Sequence, residues 1–227
     1  MIAEAIDNIR KELPQGVGLV AVSKFHTADA VKEAYLAGQR KFGESRVQEL
    51  LEKIPLLPSD IEWHFIGHLQ TNKVRQLVGK VLMIESIDSE RLLDLIDKES
   101  ARVGVVTNVL LQVHVAREET KFGFSPDELF EYADSERWKA LDNVRIRGIM
   151  GMASNTDDEE RVRADFKSLK HYFDSLRKGA FADKTDFDTL SMGMSGDWRL
   201  AVEEGSNLVR IGSAIFGQRD YSKGNHA

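Results

Sequence analysis

The sequence contains no cysteine among its 227 residues. This absence excludes disulfide bonds, thiolate metal sites and a cysteine nucleophile within the chain. The sequence also lacks any apolar run close to the ~20 residues that a membrane-spanning helix needs. The first residues, Met1 to Asp7, contain neither a basic segment nor a small-residue cleavage site. We therefore expect a soluble protein of the cytoplasm.

The chain has no excess of positive charge and few residues that typically form linkers. It has 31 lysine and arginine residues against 37 aspartate and glutamate residues, which gives a net charge of −6. This balance predicts no nucleic-acid partner, because such partners are bound by basic surfaces. There are only 4 prolines and no segment rich in proline, glycine and serine. We therefore expect one domain that covers residues 1–227.

Apolar segments of strand length alternate with stretches of helical periodicity along the chain, a pattern typical of strand–helix units on a parallel sheet. We predict eight strands, at residues 18–23, 40–42, 63–66, 81–84, 109–113, 146–150, 188–191 and 208–211. Eight units in this length predict a single (β/α)8 barrel, also called a TIM barrel. An open doubly wound sheet is the alternative, but its first turn is usually rich in glycine. The first strand here runs into Ser23-Lys24-Phe25-His26. A helix over residues 2–9 is expected to cover the bottom of the barrel.

The candidate residues for chemistry are those just beyond each strand, because the active site of a (β/α)8 barrel lies at the carboxyl ends of its strands. Lys24 holds that position after the first predicted strand. A partly desolvated lysine amine is a candidate for Schiff-base formation. A lysine that pairs with a carboxylate at the rim is the alternative. Lys24 therefore needs support from other parts of the sequence.

Two turns of small residues near the end of the chain provide that support. The seventh strand runs into Ser191-Met192-Gly193-Met194-Ser195-Gly196-Asp197, and the eighth strand runs into Gly212-Ser213-Ala214. Such turns can direct backbone N–H groups and a serine hydroxyl at an anion. Phosphate sites of (β/α)8 barrels commonly use the loops after strands seven and eight. Each turn alone is weak evidence, because glycine and serine also simply form turns.

A Schiff-base lysine beside a phosphate site implies an aldehyde that carries a phosphate. Pyridoxal 5′-phosphate (PLP) fits this description, and a phosphorylated sugar bound by an aldolase lysine is the competing ligand. Arg210 favours PLP, because it ends the eighth strand where it can face the pyridine nitrogen. A fixed guanidinium there keeps the nitrogen unprotonated, whereas an acidic residue stabilises the pyridinium. A salt bridge at the rim is the alternative role for Arg210.

Six blocks of the sequence together form a longer signature, and they occur in the order Ala21-Val22-Ser23-Lys24, Phe42-Gly43-Glu44, Trp63-His64-Phe65-Ile66-Gly67, Leu69-Gln70-Thr71-Asn72-Lys73, Leu190-Ser191-Met192-Gly193-Met194-Ser195 and Val209-Arg210-Ile211-Gly212-Ser213-Ala214-Ile215-Phe216-Gly217. In these blocks, which span nearly the whole chain, the sequence resembles the pyridoxal phosphate homeostasis proteins, also called the proline synthetase co-transcribed family.

This resemblance implies an alanine-racemase-like barrel, that is, a PLP protein of fold type III. It implies that PLP forms an aldimine with Lys24. By the same resemblance, Ser195, Gly212 and Ser213 hold the phosphate and Arg210 meets the ring nitrogen. The implied partners are PLP and, as recipients of the cofactor, PLP-dependent apoenzymes. The sequence departs from the family at Ser45, where an asparagine is usual, so a cofactor contact from that asparagine is in doubt.

Three functions follow from a PLP-binding barrel. Racemisation needs acid/base groups on both faces of the substrate carbon, and none of the tyrosines, at positions 35, 132, 172 and 221, follows a predicted strand. An aldolase needs a carboxylate near its lysine, and Glu44 is the candidate. We therefore expect a non-enzymatic protein that buffers and supplies PLP, without catalytic residues. The alternatives are a weak amino-acid racemase and a Schiff-base aldolase.

His64 and His68 are four residues apart, but strand geometry separates their side chains, so we expect no metal site.

Overall fold

The computed structural model describes residues 1–116 and 122–217. Eight parallel strands in these residues close into a barrel in the order of the sequence. The strands are β1 Gly18–Val22, β2 Lys41–Glu44, β3 Glu62–Phe65, β4 Met83–Ile87, β5 Thr107–Val113, β6 Val144–Gly151, β7 Thr189–Ser191 and β8 Leu208–Ile211. Strand β8 pairs with β1 in the register Val20 to Arg210, which closes the barrel. The predicted (β/α)8 barrel is confirmed.

Helices surround the barrel. They are α1 Ile2–Glu12, α2 Ala28–Leu36, α3 Val47–Lys53, α4 Val74–Leu77, α5 Glu90–Val103, α6 Pro126–Asp134, α7 Glu159–Lys178, α8 Trp198–Glu203 and α9 Ser213–Phe216. Helix α1 forms as predicted, but it contacts α2 and the short α9 at the side of the barrel. The prediction that it covers the bottom is therefore wrong. None of the helices in the described ranges has the length and apolar character of a membrane span.

Several helices begin and end where the sequence supplies capping groups. The Thr27 side chain accepts a hydrogen bond from Ala30 N at the start of α2. Ser125 and Glu128 form a reciprocal capping box at the start of α6. Helix α5 ends at Gly104, whose φ of 70° is in the left-handed region that favours glycine. These local signals set where each of these three helices begins or ends.

The two faces of the strands differ in character. Outward side chains such as Phe42, Trp63 and Phe65 belong to the large apolar core between the barrel and its helices. The inward side chains form only a small apolar cluster of Met83, Leu110 and Met150. The rest of the barrel interior therefore has room for buried polar side chains.

Strand β4 shows why the interior matters for the strand boundaries. The sequence predicts a strand at residues 81–84, whereas β4 runs from Met83 to Ile87 and includes Glu85 and Ser86. The apolar pattern ends at Ile84, but the strand continues because Glu85 finds hydrogen-bond partners inside the barrel. A charged residue in the middle of a buried strand is tolerated only when it is paired.

Candidate functional site

Lys24 lies just beyond β1, at the carboxyl-end mouth of the barrel. Leu19 and Ala21 face the outer core, and Ser23 also points outward, because its hydroxyl bonds to Glu44 beside α3. Alternation along the strand therefore places Lys24 on the inward side. Its side chain is half-buried. This is the position that the sequence predicts for the reactive lysine.

The turn that follows Lys24 has an unusual backbone conformation. Phe25 has φ of 67°, in the left-handed region that bulky residues rarely occupy. Its N–H donates to Glu49 Oε1 on α3 at 2.6 Å, and the Arg46 guanidinium lies 4.8 Å from the centre of its ring. Residues held in such conformations cluster at functional sites, because the surrounding structure must supply the energy that keeps them there.

A buried polar cluster fixes the same turn from the outer side of the barrel. Lys53 Nζ donates to Ser23 O at 2.9 Å, to Glu44 Oε1 at 2.7 Å and to Glu49 Oε1 at 2.6 Å. Ser23 Oγ donates to Glu44 Oε1 at 2.6 Å. Burial raises the pKa of Glu44 to about 7, although the positive charge of Lys53 opposes the shift. We call Ser23, Glu44, Glu49 and Lys53 the outer cluster.

The turns after β7 and β8 meet at Ser195. Its hydroxyl oxygen accepts hydrogen bonds from Gly212 N at 3.1 Å and Ala214 N at 3.4 Å. A side chain at position 212 would put its Cβ 3.1 Å from Val22 O, so the β8 turn passes very close to the end of β1. Ser213 is exposed, and its hydroxyl makes no hydrogen bond within residues 1–116 and 122–217. Backbone donors and hydroxyls are thus gathered beside the strand that carries Lys24.

Arg210 lies within β8 and is buried inside the barrel. Its NH1 donates to Ser191 Oγ at 2.6 Å, and its NH2 donates to Gly151 O at 2.9 Å. The same NH1 lies 3.8 Å from Glu85 Oε2. Burial lowers the pKa of Arg210, and the negative charge of Glu85 opposes the shift. The alternative of a salt bridge at the rim is half right: Arg210 does pair with a carboxylate, but the pair lies inside the barrel and not at its rim, because only 4% of the Arg210 surface is exposed.

Glu85 lies between Arg210 and His64 and contacts both. Its Oε1 lies 2.6 Å from His64 Nδ1, and its Oε2 accepts from Ser191 Oγ at 2.6 Å. Burial alone would raise the pKa of Glu85, but the hydrogen bond and charge of His64, with Arg210 and Ser191, hold it below its usual range. We call His64, Glu85, Ser191 and Arg210 the inner cluster.

The sequence did not predict either cluster as a unit. A signal for the inner cluster was present, because Glu85 is the one charged residue in β4 and has the inward phase of Met83. The outer cluster depends on the rotation of α3 about its axis, which the spacing of Glu49 and Lys53 does not determine. Glu44, the candidate acid/base group of an aldolase, lies between β2 and α3 and bonds to Lys53.

Other candidate residues have structural roles. Tyr35 donates to Asp60 at the surface, Tyr132 is buried in the core, and Tyr172 packs on Phe130. None of these three tyrosines lies beyond a strand end, and Tyr221 lies outside the described residues.

The positions of Ser45 and of the histidine pair are also defined. Ser45 is half-buried beyond β2. Its backbone leaves no room for a side chain at position 67, because a Cβ atom there would lie 2.2 Å from Ser45 O. His64 bonds to Glu85, whereas His68 bonds to Asp88 at 2.9 Å. No group of three or more metal-ligating side chains occurs in the described part of the chain.

Comparison with known proteins gives a consistent result. A family model described as alanine racemase, N-terminal domain, matches residues 1–220. The pyridoxal phosphate homeostasis protein of Aquifex aeolicus (strain VF5) is 42% identical over 207 residues, which cover 89% of this chain and 87% of that protein. The corresponding protein of Schizosaccharomyces pombe is 37% identical over 231 residues, which cover 98% of this chain and 94% of that protein.

Solved structures are also similar. PipY of Synechococcus elongatus PCC7942 without PLP has a TM-score of 0.90 and 38% identity, and the match covers 96% of this chain and 100% of that chain. PipY with PLP bound has a TM-score of 0.85 and 37% identity, with the same coverage.

Proposed function

Because the chain belongs to the pyridoxal phosphate homeostasis proteins, which share the N-terminal domain of alanine racemase, we propose that it binds PLP at the carboxyl-end mouth of its barrel. We propose further that it acts in PLP homeostasis, by holding the cofactor and supplying it to PLP-dependent apoenzymes. The support for the ligand is the PLP-bound PipY structure, which covers 96% of this chain at 37% identity.

The observation that carries the proposal is the close approach of the Ser195 and Gly212 turns to the end of β1. The N–H groups of Gly212 and Ala214 converge on one oxygen, that of Ser195. A Cβ atom at position 212 would lie 3.1 Å from Val22 O, so glycine is the residue that fits this close approach. A cluster of N–H and hydroxyl donors next to an inward lysine fits a ligand that carries both a phosphate and an aldehyde.

Each residue of the site has a distinct proposed role. Lys24 Nζ is the point of covalent attachment for the aldehyde of the cofactor. Ser195, Gly212 and Ser213 hold the phosphate, and Arg210 faces the ring nitrogen. When bound, the cofactor supplies a reactive aldehyde and an electron-withdrawing ring.

Arg210 limits the reactivity of the site in this proposal. Its guanidinium is fixed by Ser191 and Gly151, so a positive charge stays where a proton on the ring nitrogen would otherwise lie. Because the positive charge of Arg210 disfavours protonation of the ring nitrogen, the ring withdraws electrons less strongly. This suits a protein that holds the cofactor without consuming it.

The enzymatic alternatives have less support. A racemase needs a second acid/base group opposite Lys24, and Tyr35, Tyr132 and Tyr172 lie elsewhere. An aldolase needs a carboxylate at the mouth, whereas Glu44 is engaged by Lys53 on the outer side of the barrel. We therefore propose a binding protein that has no catalytic residue.

The proposal is tested by the visible spectrum of the purified protein, followed by borohydride reduction and peptide mapping. The expected result is cofactor absorbance in the visible range and a reduced adduct on the peptide that contains Lys24. Lys24→Ala should lose the adduct and keep its fold, whereas the control Lys73→Ala should keep both. An adduct on another lysine contradicts the assignment. Rapid interconversion of L- and D-alanine in an enantiomer-resolved assay contradicts the carrier function.

A further inference from the structure

The peptide groups on the two sides of Lys24 are both held by side chains of α3. Lys53 Nζ donates to Ser23 O at 2.9 Å, and this carbonyl belongs to the peptide group that precedes Lys24. Glu49 Oε1 accepts from Phe25 N at 2.6 Å, and this N–H belongs to the peptide group that follows Lys24. Because each peptide group is planar, holding one atom of each group limits both φ and ψ of Lys24. Helix α3 therefore constrains the direction in which the Lys24 side chain leaves the backbone.

Glu49 and Lys53 act together, and we call them the α3 pair. They lie one helical turn apart, and Lys53 Nζ is 2.6 Å from Glu49 Oε1. Helix α3 is itself packed on the barrel through Val47 and Leu50, which are buried in the outer apolar core. The position of the α3 pair is therefore set by the packing of a helix and does not depend on the turn that it holds.

The turn after Lys24 needs this support because its backbone conformation is unfavourable. Phe25 has φ of 67°, a region that an aromatic residue rarely occupies unless the surrounding structure holds it there. Without the hydrogen bond to Glu49, we expect Phe25 to return to the ordinary range of negative φ. That change rotates the neighbouring peptide groups and releases the backbone of Lys24.

We propose that the α3 pair positions Lys24 for covalent attachment of PLP, and that Glu49 is a positioning residue of the site. The inference rests on the proposed function. Attachment forms a C=N bond between Lys24 Nζ and the aldehyde carbon, and the aldehyde oxygen leaves as water with the two protons of the neutral amine. A phosphate held at the Ser195 and Gly212 turns fixes where the aldehyde lies. The amine must lie at the matching place, so a displaced lysine attaches less favourably.

The experiment compares two ligands that differ in one group. Cofactor-free protein is titrated with PLP and with 4-deoxypyridoxine 5′-phosphate, which has a methyl group in place of the aldehyde and keeps the ring and the phosphate. Glu49→Ala should weaken PLP binding about tenfold or more, because the amine is displaced. It should change the affinity for the deoxy ligand by about twofold or less, because this ligand does not use the amine. A purely structural effect would weaken both ligands alike.

Further measurements show whether the hydrogen bond to Phe25 is responsible. Glu49→Gln keeps an oxygen that accepts from Phe25 N, so it should bind PLP within about threefold of the unmodified chain. Glu52→Ala is the matched substitution at an exposed glutamate of the same helix, and it should leave both affinities unchanged. In the unmodified chain, the Phe25 amide should exchange its hydrogen more slowly than an exposed amide does, as followed by NMR. This last measurement does not depend on the folding of a variant.

The positioning role and the proposed function fail in different ways. Equal weakening of both ligands in Glu49→Ala, an unchanged PLP affinity in that variant, a Glu49→Gln variant as weak as Glu49→Ala, or fast exchange at Phe25 would each overturn the positioning role. If the unmodified chain still forms its borohydride-reduced adduct at Lys24, the proposed function survives these results. Absence of that adduct from the unmodified chain would overturn both.

Discussion

Glu44 in the outer cluster and Glu85 in the inner cluster are both completely buried. Each accepts a hydrogen bond of 2.6 Å from a serine hydroxyl. Their pKa values nevertheless move in opposite directions. The pKa of Glu44 is raised to about 7 by burial. The pKa of Glu85 is lowered, because its partners outweigh the effect of burial. Burial alone therefore does not determine the charge of a carboxyl group in this barrel.

The difference lies in how many donors and cations each carboxyl group has. Ser23 and Lys53 both donate to Oε1 of Glu44, and its Oε2 has no partner among the described residues. Lys53 also pairs with Glu49, so one cation serves two carboxylates. Glu85 has a hydrogen-bond partner on each oxygen, His64 on Oε1 and Ser191 on Oε2, and Arg210 NH1 lies 3.8 Å from its Oε2. Desolvation prevails at Glu44, which has one oxygen without a partner among the described residues, whereas hydrogen bonds and Coulomb attraction prevail at Glu85, whose two oxygens both have partners.

The two clusters also serve different parts of the proposed site. The inner cluster fixes Arg210, whereas the outer cluster holds Ser23 and Phe25, which flank Lys24. A carboxyl group with a pKa of about 7 makes the outer cluster sensitive to pH near neutrality. In the inner cluster, Glu85 has a lowered pKa and stays ionised over the same range.

Removal of the inner carboxylate should have the largest effect. Glu85→Gln leaves Arg210 buried without its counter-charge, so we expect a loss of about 3–5 kcal/mol in the free energy of unfolding at pH 7. Urea denaturation measures this loss. The control is Glu62→Gln, at the half-buried first residue of β3, which should change stability by about 0.5 kcal/mol or less. Equal effects of the two substitutions would show that the inner cluster contributes little.

Removal of the single cation from the outer cluster should cost less, and the cost should depend on pH. Lys53→Met leaves Glu44 and Glu49 without their common partner. We expect a loss of about 2–4 kcal/mol at pH 8, where removing one member of a buried pair is costly. The loss should be smaller at pH 5, because Glu44 is then protonated. A loss that is the same at both pH values contradicts this account of the cluster.

The pH dependence of stability should distinguish the two carboxyl groups directly. The pKa of Glu44 rises from 4.5, the ordinary value for an exposed glutamate, to about 7 in the fold. Between these values the folded state therefore binds more protons than the unfolded state. Stability should fall by about 2–3 kcal/mol as the pH rises from 4.5 to 7. Glu85 has the opposite sign: its contribution is present above its unfolded pKa and is lost as the pH falls below it.

The matched variant for this prediction is Glu44→Gln, which retains an oxygen acceptor for Ser23 but does not titrate. The difference between the two stability profiles isolates the contribution of Glu44. We expect the Glu44→Gln profile to lack the fall between pH 4.5 and 7 that Glu44 contributes. Parallel profiles for the two proteins would mean that Glu44 ionises normally.

The same comparison shows what the sequence can and cannot predict. Strand periodicity places Lys24 beyond β1 and the Ser195 and Gly212 turns beyond β7 and β8, and closure of the barrel then makes these turns neighbours. The polar clusters are harder to predict because they depend on side-chain direction across several elements. Glu44 is an example. A position at the end of β2 suggests the barrel mouth, but Glu44 has the same outward phase as Phe42, which packs in the outer core.

The smallest effects should come from the two serines, and they give the closest test of the comparison. Ser191 donates to Glu85 and accepts from Arg210 NH1, both at 2.6 Å, so Ser191→Ala removes a partner from two charged groups. We expect a loss of about 1.5–3 kcal/mol, the range for hydrogen bonds to charged groups.

Ser23 donates only to Glu44 Oε1, which keeps Lys53 as a second donor. Glu44 can also respond to the loss of Ser23 by binding a proton, since its pKa is already about 7. Ser23→Ala should therefore cost about 1 kcal/mol or less at pH 7, and it should move the titration of Glu44 to higher pH, because the Ser23 bond lowers that pKa. Urea denaturation of both variants across pH measures these effects. If Ser23→Ala costs as much as Ser191→Ala at pH 7, protonation of Glu44 does not relieve the outer cluster, and the contrast between the two carboxyl groups must come from packing.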